Sequence, residues 1–378
     1  MKFAHISDLH IGKRLCGFSL IEDQRHILSQ ITDIIEKQNP DGVIIAGDVY
    51  DKSNPSAEAV TVFDEFLTDL SGLKIPVYII SGNHDSAERL AFGGKIMQSS
   101  EIYISPVYDG GIKKVVKTDE YGDVNIYLCP FVKPANVKTF YPDDNTDSYT
   151  EALKTALSHC DIDDKARNIL VCHQFITGAQ TCDSEEINVG TLDNIDAGIF
   201  DSFDYVALGH IHGAQKVLRE SIRYCGTPLK YSFSECRHKK SVTMVDIREK
   251  NCVYIETVPL EPLRDLREIK GTYEELMSLE SYAGTNTADY LHVTLTDEED
   301  VPNALEKMRS VYKNIMQFDY DNKRTRETMT VTAEEKNDEK SPLELLEQLY
   351  FTQNNSELSE VQRDYVTELI ERIWGESI

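Results

Sequence analysis

The chain has 378 residues, of which 40% are hydrophobic and 28% are charged. This length is enough for two or three domains with a full hydrophobic core, and the composition excludes a low-complexity or fibrous chain. The formal net charge of −26 argues against a nucleic-acid coat protein or a polybasic membrane-binding protein. Net charge describes the average surface only, so a local basic patch beside a metal site can still hold a phosphate chain.

Eight cysteines are spread along the chain, and no two of them form a C-x-x-C pair. This spacing argues against a zinc ribbon or a redox motif, and we expect free thiols in a reducing cytoplasm. The first residues lack the apolar core of a signal peptide, and no stretch approaches the roughly 18 apolar residues of a membrane span. The sequence therefore predicts a cytoplasmic protein without membrane contact.

Short apolar segments of strand length alternate with helical patterns through the first two-thirds of the chain. The predicted strands are residues 2–6, 42–46, 77–80, 125–128, 169–172 and 205–208. Apolar residues at helical spacing predict helices between them, for example over 20–38 and 57–70. This alternation of strands and helices indicates a layered α/β domain.

The pattern changes in the last third of the chain. Segments 241–247 and 252–258 predict a β-hairpin that closes a first domain over residues 1–259. A helix at 273–279, a strand at 290–295, a helix at 301–311 and a strand at 314–318 predict a small α+β domain over 260–331. A charged linker and two amphipathic helices follow over 332–378. Their apolar stripes pack back on the domain or, as we expect, dock on a partner.

Side chains that can bind metal ions follow five of the predicted strands. The segments are Ser-Asp-Leu-His at 7–10, Gly-Asp-Val-Tyr-Asp at 47–51, Gly-Asn-His-Asp at 82–85, Cys-His-Gln at 172–174 and Gly-His-Ile-His at 209–212. Each segment alone is also what an ordinary turn or a buried polar group would show. The carboxyl ends of strands in an α/β sheet converge on ligand sites, so the five together predict one pocket.

The residue types in these segments suit a site for two metal ions. Imidazole, carboxylate and amide ligands fit Mn, Fe or Zn without a thiolate. Asp8 and His10 are two residues apart and project to the same side if the chain is extended, as do His210 and His212. A carboxylate such as Asp48 can bridge two ions, and such a pair stabilises the attacking and leaving oxygens in a displacement at phosphorus.

The order D-x-H, G-D-x-x-D, G-N-H-D, an isolated His and G-H-x-H is similar to that of the calcineurin-like metallophosphoesterase family. Segments 6–12, 46–51, 81–86 and 226–235 resemble the DNA repair nucleases of that family most specifically. The resemblance covers essentially the full length and is most specific over residues 1–257. It implies a β-sandwich flanked by helices, a small α+β capping domain at 260–331 and partner-binding C-terminal helices.

The resemblance also implies a set of ligands for each of two divalent ions, with Mn²⁺ as the expected metal. One ion would be held by Asp8, His10, Asp48 and His212, and the second by Asp48, Asn83, His173 and His210. His84 would contact the scissile phosphate and aid the leaving group, while Asp85 would orient the ring of His84.

Other side chains near the motifs are candidates for contact with the substrate. Asp51 stands where archaeal relatives carry a second substrate-facing histidine, and Lys13, Arg14 and Arg89 are nearby cations. The resemblance implies that DNA is the substrate and that a separate ATPase subunit binds the C-terminal helices. It further implies a homodimer within a heterotetramer, and the chain has no G-x-x-x-x-G-K-[ST] loop of its own.

Three functions remain open from the sequence. The leading one is a metal-dependent nuclease that trims double-stranded DNA ends and opens hairpins in repair and recombination. The same ions could instead hydrolyse a small-molecule or cyclic-nucleotide phosphodiester. The third is a DNA-end tethering subunit with a vestigial metal site, although a decayed site would be expected to lack at least one ligand.

Overall fold

The computed structural model describes residues 1–185, 194–323 and 325. It also describes positions 343, 346, 347, 350, 358, 359, 362, 363, 365–367 and 369. The predicted linker at 332–340 lies outside the described residues, as do most residues of the two predicted C-terminal helices.

The described residues alternate between strands and helices, as the sequence predicts. The strands are β1 Lys2–Ile6, β2 Arg14–Leu15, β3 Phe18–Ser19, β4 Gly42–Ala46, β5 Val77–Ile80, β6 Ile102–Ile104, β7 Lys113–Asp119, β8 Gly122–Cys129, β9 Arg167–His173, β10 Tyr205–Gly209, β11 Gln215–Val217, β12 Arg219–Tyr224, β13 Ser241–Ile247, β14 Val253–Pro259, β15 Leu266–Gly271, β16 Tyr290–Leu295 and β17 Asn314–Tyr320. The helices are α1 Ile21–Gln38, α2 Ala57–Gly72, α3 Ala87–Leu90, α4 Gly94–Met97, α5 Pro134–Phe140, α6 Tyr149–Ser158, α7 Tyr273–Met277, α8 Leu279–Tyr282 and α9 Ala304–Met308.

Two six-stranded sheets form the centre of the fold. The first has the strand order β14-β13-β1-β4-β5-β6, and the second has the order β11-β12-β10-β9-β8-β7. Strands β1, β4, β5 and β6 run parallel, as do β8, β9, β10 and β12. The antiparallel pairs β1 with β13 and β7 with β8 continue the sheets toward their edges. Both sheets are therefore mixed, with a parallel centre.

Alternating side chains of each strand enter different layers of the core. Phe3 and Ile44 lie in an apolar layer together with Val171 and Ala207 from the second sheet. Ala4 instead joins a separate apolar cluster that contains the buried face of α1 and α2. The outer face of the second sheet packs with α6 in a third cluster. This arrangement confirms the predicted layered α/β fold, with a β-sandwich flanked by helices.

The two longest described helices form where the sequence predicts them. Helix α1 buries Ile27, Ile31 and Ile35, which recur at helical spacing, and it ends at Asn39 in a left-handed conformation. Helix α2 begins after Ser56, whose hydroxyl accepts a hydrogen bond from the Ala59 main-chain N–H at 3.2 Å. These helices pack against the first sheet.

Strands β15, β16 and β17 form a separate three-stranded sheet. Arg264, just before β15, donates to both carboxylate oxygens of Asp23 in α1, at 3.0 and 2.8 Å. The Tyr290 hydroxyl in β16 donates to the same carboxylate at 2.8 Å. Because Asp23 is only 1% exposed, these bonds join the start of this segment firmly to α1.

The chain divides into two compact units. The first comprises Met1–Thr294 and Pro302–Asp319, and the second comprises Leu295–Val301 and Tyr320–Ile378. Within the second unit, the Asn322 side chain donates to the Asp297 main-chain oxygen at 3.1 Å, and Arg363 forms an ion pair with Glu347 at 2.6 Å. The domain limits 1–259, 260–331 and 332–378 stay predictions.

All eight cysteines lie among the described residues, and all are free thiols, which confirms that expectation. Within the part of the chain that the structure describes, no helix has the length and apolar content needed to cross a membrane. The sequence prediction missed the short strands β2, β3 and β6, and also β7, the β11 and β12 pair, and β15. It also extended one helix over 301–311, where the structure has only α9, Ala304–Met308.

Candidate metal centre

The loops that follow β1 and β4 are held in strained backbone conformations. The φ angle is +53° at Asp8 and +49° at Asp48, in the left-handed region that L-residues rarely adopt. The Asp8 main-chain N–H donates to Gly47 O at 3.0 Å, and the His10 N–H donates to Asp48 O at 3.0 Å. Strain of this kind persists only where the surroundings fix it, and it clusters at functional sites.

Two glycines allow these loops to meet the loops of neighbouring strands. A Cβ atom on Gly82, after β5, would lie 2.1 Å from Asp48 Oδ1. A Cβ atom on Gly209, at the end of β10, would lie 1.9 Å from Ala46 O and 2.7 Å from His173 Nδ1. No side chain fits at either position, so the segment that follows β4 packs directly against the backbone of Gly82, and the end of β4 packs against that of Gly209.

The structure brings together the four residues predicted for the first ion. His10 Nε2 lies 3.2 Å from His212 Nε2 and 3.7 Å from Asp48 Oδ2. Potential ligand atoms of Asp8, His10 and His212 all lie within 4.8 Å of one another. Asp8 also accepts the His210 main-chain N–H at 3.0 Å, so β1 and β10 are joined at this point.

The four residues predicted for the second ion also meet. His173 Nε2 lies 3.3 Å from Asp48 Oδ2 and 3.0 Å from Asn83 Oδ1. His210 Nδ1 lies 3.0 Å from the same Asn83 oxygen. Asp48 therefore stands between the two groups, in the position that a bridging carboxylate would take.

The imidazole rings are oriented for binding a cation. His173 Nδ1 donates to Ala46 O at 2.9 Å, because a carbonyl oxygen can only accept a hydrogen bond, so Nε2 is the nitrogen that faces Asp48 and Asn83 and is available to a cation. Burial lowers the pKa of His10 well below its usual value and lowers the pKa of His210 to about 3. Both rings are therefore neutral at pH 7, which is the state that a metal ligand requires.

The charge of Asp48 dominates the electrostatics of the second group. Burial opposes the charged form of His173, but the nearby Asp48 carboxylate outweighs it and raises the pKa of His173 to about 9. Burial likewise opposes ionisation of Asp48, yet the surrounding imidazoles hold its pKa below the usual range. A bound cation would take the place of the His173 proton, so the donor set fits divalent metal ions.

His84 lies at the edge of the metal centre and is partly exposed, whereas His10, His173, His210 and His212 are buried. Its Nδ1 lies 3.1 Å from Asp51 O, and its Nε2 lies 4.0 Å from Asp48 Oδ2. The His84 main-chain N–H donates to Asp48 Oδ1 at 2.9 Å. The ring therefore presents Nε2 to the space beside the metal ligands.

The expectation that Asp85 orients the His84 ring is wrong as a direct contact. The Asp85 carboxylate accepts three main-chain N–H groups, from Gly82 and Tyr50 at 2.9 Å and from Val49 at 3.1 Å. The group on His84 Nδ1 is the carbonyl oxygen of Asp51. Through these three hydrogen bonds, the Asp85 carboxylate joins the loop after β4, which carries Asp48, to the loop after β5, which carries His84.

The remaining candidates have different surroundings. The Asp51 carboxylate forms an ion pair with Lys13 at 2.9 Å and lies 3.7 Å from His10 Nδ1. Arg89 donates to Ser53 O and Asn54 Oδ1, each at 2.7 Å. Arg14 is exposed and donates to Gly17 O within the β2–β3 hairpin. Lys13 and Asp51 therefore adjoin the metal centre directly, whereas Arg89 secures a loop.

Two residues that the prediction did not include support the His10 loop. The Gln24 side-chain amide donates to His10 O at 2.7 Å and accepts the Gly12 N–H at 2.9 Å. The Tyr231 hydroxyl donates to Leu9 O at 2.5 Å. Gln24 is a buried polar residue on the apolar stripe of α1, three residues before Ile27, and that position is the signal that could have identified it.

Comparison with known proteins agrees with this fold and site. Residues 1–214 match the calcineurin-like phosphoesterase family, and residues 262–354 match a family described as the type 5 capsule protein repressor C-terminal domain. The D subunit of nuclease SbcCD from Staphylococcus epidermidis is 34% identical over 379 residues, which cover 98% of this chain and 98% of that protein. The chain belongs to the calcineurin-like phosphoesterase family and, within it, to the relatives of the SbcD nuclease.

Solved structures show a weaker likeness. A dimetal phosphatase from Danio rerio is 10% identical with a TM-score of 0.41, and the match covers 70% of this chain and 98% of that one. A protein from Thermus thermophilus is 11% identical with a TM-score of 0.39, and the match covers 68% and 98% of the two chains.

Family membership confirms the predicted class, a metal-dependent phosphoesterase that uses divalent metal ions. The individual ligands remain assigned by their positions in the motifs and by the geometry described above.

Proposed function

We propose that this chain is a metal-dependent DNA nuclease that cleaves phosphodiester bonds in DNA repair and recombination. The observation that carries the proposal is the full-length relationship to a nuclease subunit, which extends well beyond the phosphoesterase region at residues 1–214. A small-molecule phosphodiesterase would need only the phosphoesterase region. A vestigial site is disfavoured because all seven proposed ligands are present and adjacent.

In this proposal, Asp8, His10, Asp48 and His212 hold one ion, and Asp48, Asn83, His173 and His210 hold the second. The ions would be Mn²⁺ and would supply positive charge to the phosphate oxygens and lower the pKa of a bound water toward neutrality. The mixed nitrogen and oxygen donors of the two groups support Mn²⁺ rather than a thiolate-preferring metal.

His84 acts on the leaving group. Its Nδ1 donates to Asp51 O at 3.1 Å, which fixes the ring. In the imidazolium form Nε2 carries the second proton, which it gives to the departing oxygen, and the ring is left neutral. The partial exposure of His84 supports contact with the substrate, since the buried imidazoles are surrounded by protein. Asp85 acts through its three amide hydrogen bonds and is a positioning residue for the loop that carries His84.

Local cations offset the acidic average charge of the chain where DNA would approach. Lys13 lies beside Asp51 at the metal centre, and Arg237 and Lys239 are exposed on the segment that follows Glu235. Because phosphate contacts release counterions, we expect weak intrinsic DNA binding that falls as the salt concentration rises. Arg14 and Arg89 remain proposed as further contacts with the DNA backbone.

The nuclease would act together with the ATPase subunit SbcC. The proposed docking elements are the two amphipathic helices over 332–378, most of which lies outside the described residues. A homodimer of this chain within a heterotetramer, in the cytoplasm, completes the proposal. SbcC would supply nucleotide hydrolysis, because this sequence has no phosphate-binding G-x-x-x-x-G-K-[ST] loop.

The proposal is tested by comparing two substrates, a DNA hairpin and bis-p-nitrophenyl phosphate, with Mn²⁺ and with or without SbcC and ATP. We expect cleavage of the hairpin that the partner and ATP enhance. Dye hydrolysis without hairpin cleavage under either condition would contradict the nuclease and favour a small-molecule phosphodiesterase. Hairpin binding without hydrolysis of either substrate would favour a tethering subunit.

A further inference from the structure

Segment 226–235 has no role in the proposed function, although its sequence is one of the most specific in the chain. In the structure it packs on the backbone of His212. A Cβ atom on Gly226, where φ is +77°, would lie 2.7 Å from His212 O. The next residue, Thr227, donates its N–H to the same carbonyl at 3.2 Å. The beginning of the segment therefore packs closely against the main chain of His212, which is a proposed metal ligand.

The end of the segment reaches the His212 ring through a hydroxyl group. Ser184 Oγ lies 2.7 Å from His212 Nδ1 and 2.6 Å from Glu235 Oε1. The carboxylate can only accept, so the Ser184 O–H donates to Glu235, and Ser184 Oγ accepts the proton on His212 Nδ1. This order leaves the lone pair of His212 on Nε2, which lies 3.2 Å from His10 Nε2.

The Glu235 carboxylate is itself fixed in place. Its side chain is fully buried, and it accepts from Lys240 Nζ at 2.5 Å and from the Tyr231 N–H at 3.1 Å. Lys240 Nζ also donates to His212 O at 3.0 Å. Lys240 therefore compensates the buried negative charge and holds the backbone of the same histidine whose ring faces Ser184.

We propose that Ser184 and Glu235 are positioning residues that set the tautomer and the ring orientation of His212 for metal binding. The inference rests on the proposed role of His212 as a ligand. Partners on the second nitrogen of a metal-binding histidine typically control metal affinity by about 10–100-fold. The partner of His173 is the main-chain Ala46 O, whereas that of His212 is a side chain and can be removed by substitution.

A different use of the same atoms is a separate metal site. Potential ligand atoms of Cys182, His212 and Glu235 lie within 4.8 Å of one another. However, Ser184 already occupies His212 Nδ1, and the ammonium group of Lys240 already neutralises Glu235. The Cys182 thiol contacts Ser184 Oγ at 3.2 Å. Cys182→Ala is therefore a matched control, because it removes this neighbour and keeps the hydrogen bonds of Ser184 with His212 and Glu235.

The test measures Mn²⁺ binding to the full-length chain from the electron paramagnetic resonance signal of free Mn²⁺. We expect Ser184→Ala to weaken one of two binding sites about tenfold and to leave the other unchanged. Ser184→Thr, which keeps the hydroxyl, should restore the affinity, and Cys182→Ala should match the wild type. A folded Glu235→Gln protein should show weaker binding at the same site as Ser184→Ala. If Glu235→Gln does not fold, the comparison of Ser184→Ala with Ser184→Thr tests the inference alone.

Unchanged Mn²⁺ affinity in Ser184→Ala would overturn the inference. A loss in Cys182→Ala as large as that in Ser184→Ala would also overturn it, in favour of a thiolate-containing site. Metal binding is measured without DNA, so failure of the proposed function is separately visible. If the chain shows the expected affinities and cleaves no DNA, the positioning role of Ser184 and Glu235 stands and the proposed nuclease function fails.

Discussion

Asp23 and Gln24, consecutive residues in the first turn of α1, form hydrogen bonds with different parts of the molecule. Asp23 accepts from Arg264, which precedes β15. Gln24 donates to the main-chain oxygen of His10 in the metal centre. One helical turn therefore joins the start of the 260–320 segment to the loop that carries two proposed metal ligands, Asp8 and His10.

Removal of the Gln24 side chain should loosen the His10 loop. Gln24→Ala leaves the partly buried Gly12 N–H without its partner and leaves His10 O with the Lys13 N–H alone, which costs about 1–3 kcal/mol of stability. We also expect Mn²⁺ affinity to fall about tenfold, because the supporting contacts of a ligand control affinity. Titration of Mn²⁺ and chemical unfolding of the metal-free protein measure the two effects.

Gln30→Ala is the matched control for Gln24. Gln30 lies on the same helix and accepts the Glu261 N–H at 2.7 Å, away from the metal centre. The Mn²⁺ affinity of the Gln30→Ala protein should equal that of the wild type. Equal metal affinity for Gln24→Ala and Gln30→Ala would show that the Gln24 bonds do not support the site.

Arg264→Ala should destabilise the first unit strongly. The substitution leaves the buried Asp23 carboxylate with the Tyr290 hydroxyl and without a positive charge, and breaking a buried ion pair in this way costs about 3–5 kcal/mol. Arg25→Ala serves as the comparison, because Arg25, on the exposed face of α1, pairs with Glu65 of α2. That exposed pair is worth about 0–1 kcal/mol. Urea unfolding of both variants would reject this account if the two losses were similar.

Gly209→Ala should disrupt the contact between the sheets at the metal centre. The added methyl group would meet Ala46 O at 1.9 Å and His173 Nδ1 at 2.7 Å, and neither the strand nor the buried ring can move freely. We expect a loss of about 3 kcal/mol or more, as for severe overpacking. Gly72→Ala, at the end of α2 with no atom within 4 Å of the new Cβ, should be neutral or slightly stabilising. Thermal unfolding distinguishes the two.

Asp119 should make the stability of the fold depend on pH in the acid range. Partial burial opposes its ionisation, but hydrogen bonds from Arg167 and the amino group of Met1 outweigh it and hold the pKa of Asp119 below its usual value. A depressed folded-state pKa gives stability that is present above the unfolded-state pKa of about 4 and is lost as the pH falls below it.

The expected contribution of Asp119 is about 1 kcal/mol, after allowance for solvent screening of a carboxylate near the surface. Urea unfolding between pH 7 and pH 3 measures it, with Asp119→Asn as the reference. The stability difference between the two proteins should shrink as the pH falls. A difference that is constant or grows toward pH 3 would contradict the assigned direction of the pKa shift.

The elements that the sequence predicts best are those with a continuous apolar pattern. Strands β1, β4 and β5 are largely buried and begin and end where the sequence indicates, and β4 and β5 are rich in Ile and Val. Strand β7 was missed because it lies at the edge of its sheet and carries three lysines on a largely exposed segment. Its partner β8 follows directly in a hairpin, with Asp119 paired to Gly122, so the polar residues of β7 rather than a long-range pairing hid this strand.

The candidate ligands could be named from their order along the chain, whereas their supporting contacts could not. His173 and His84 are oriented by main-chain oxygens of Ala46 and Asp51. Every residue has a main-chain carbonyl oxygen, so the sequence does not indicate which one contacts a histidine. Ser184 and Glu235 are 51 positions apart, so their contact appears only after folding. The assignment of Asp85 to the His84 ring failed for the same reason.

The most direct test of the account is hairpin DNA cleavage by His84→Ala protein whose Mn²⁺ content has first been measured. His84 contacts Asp48 through its main-chain N–H, which the substitution keeps, so two ions should still bind. We expect the cleavage rate to fall by about 10²–10⁴-fold, the usual contribution of a positioned proton donor. Wild-type cleavage with both ions bound would contradict the catalytic role of His84, and loss of the ions would show that His84 is a metal ligand instead.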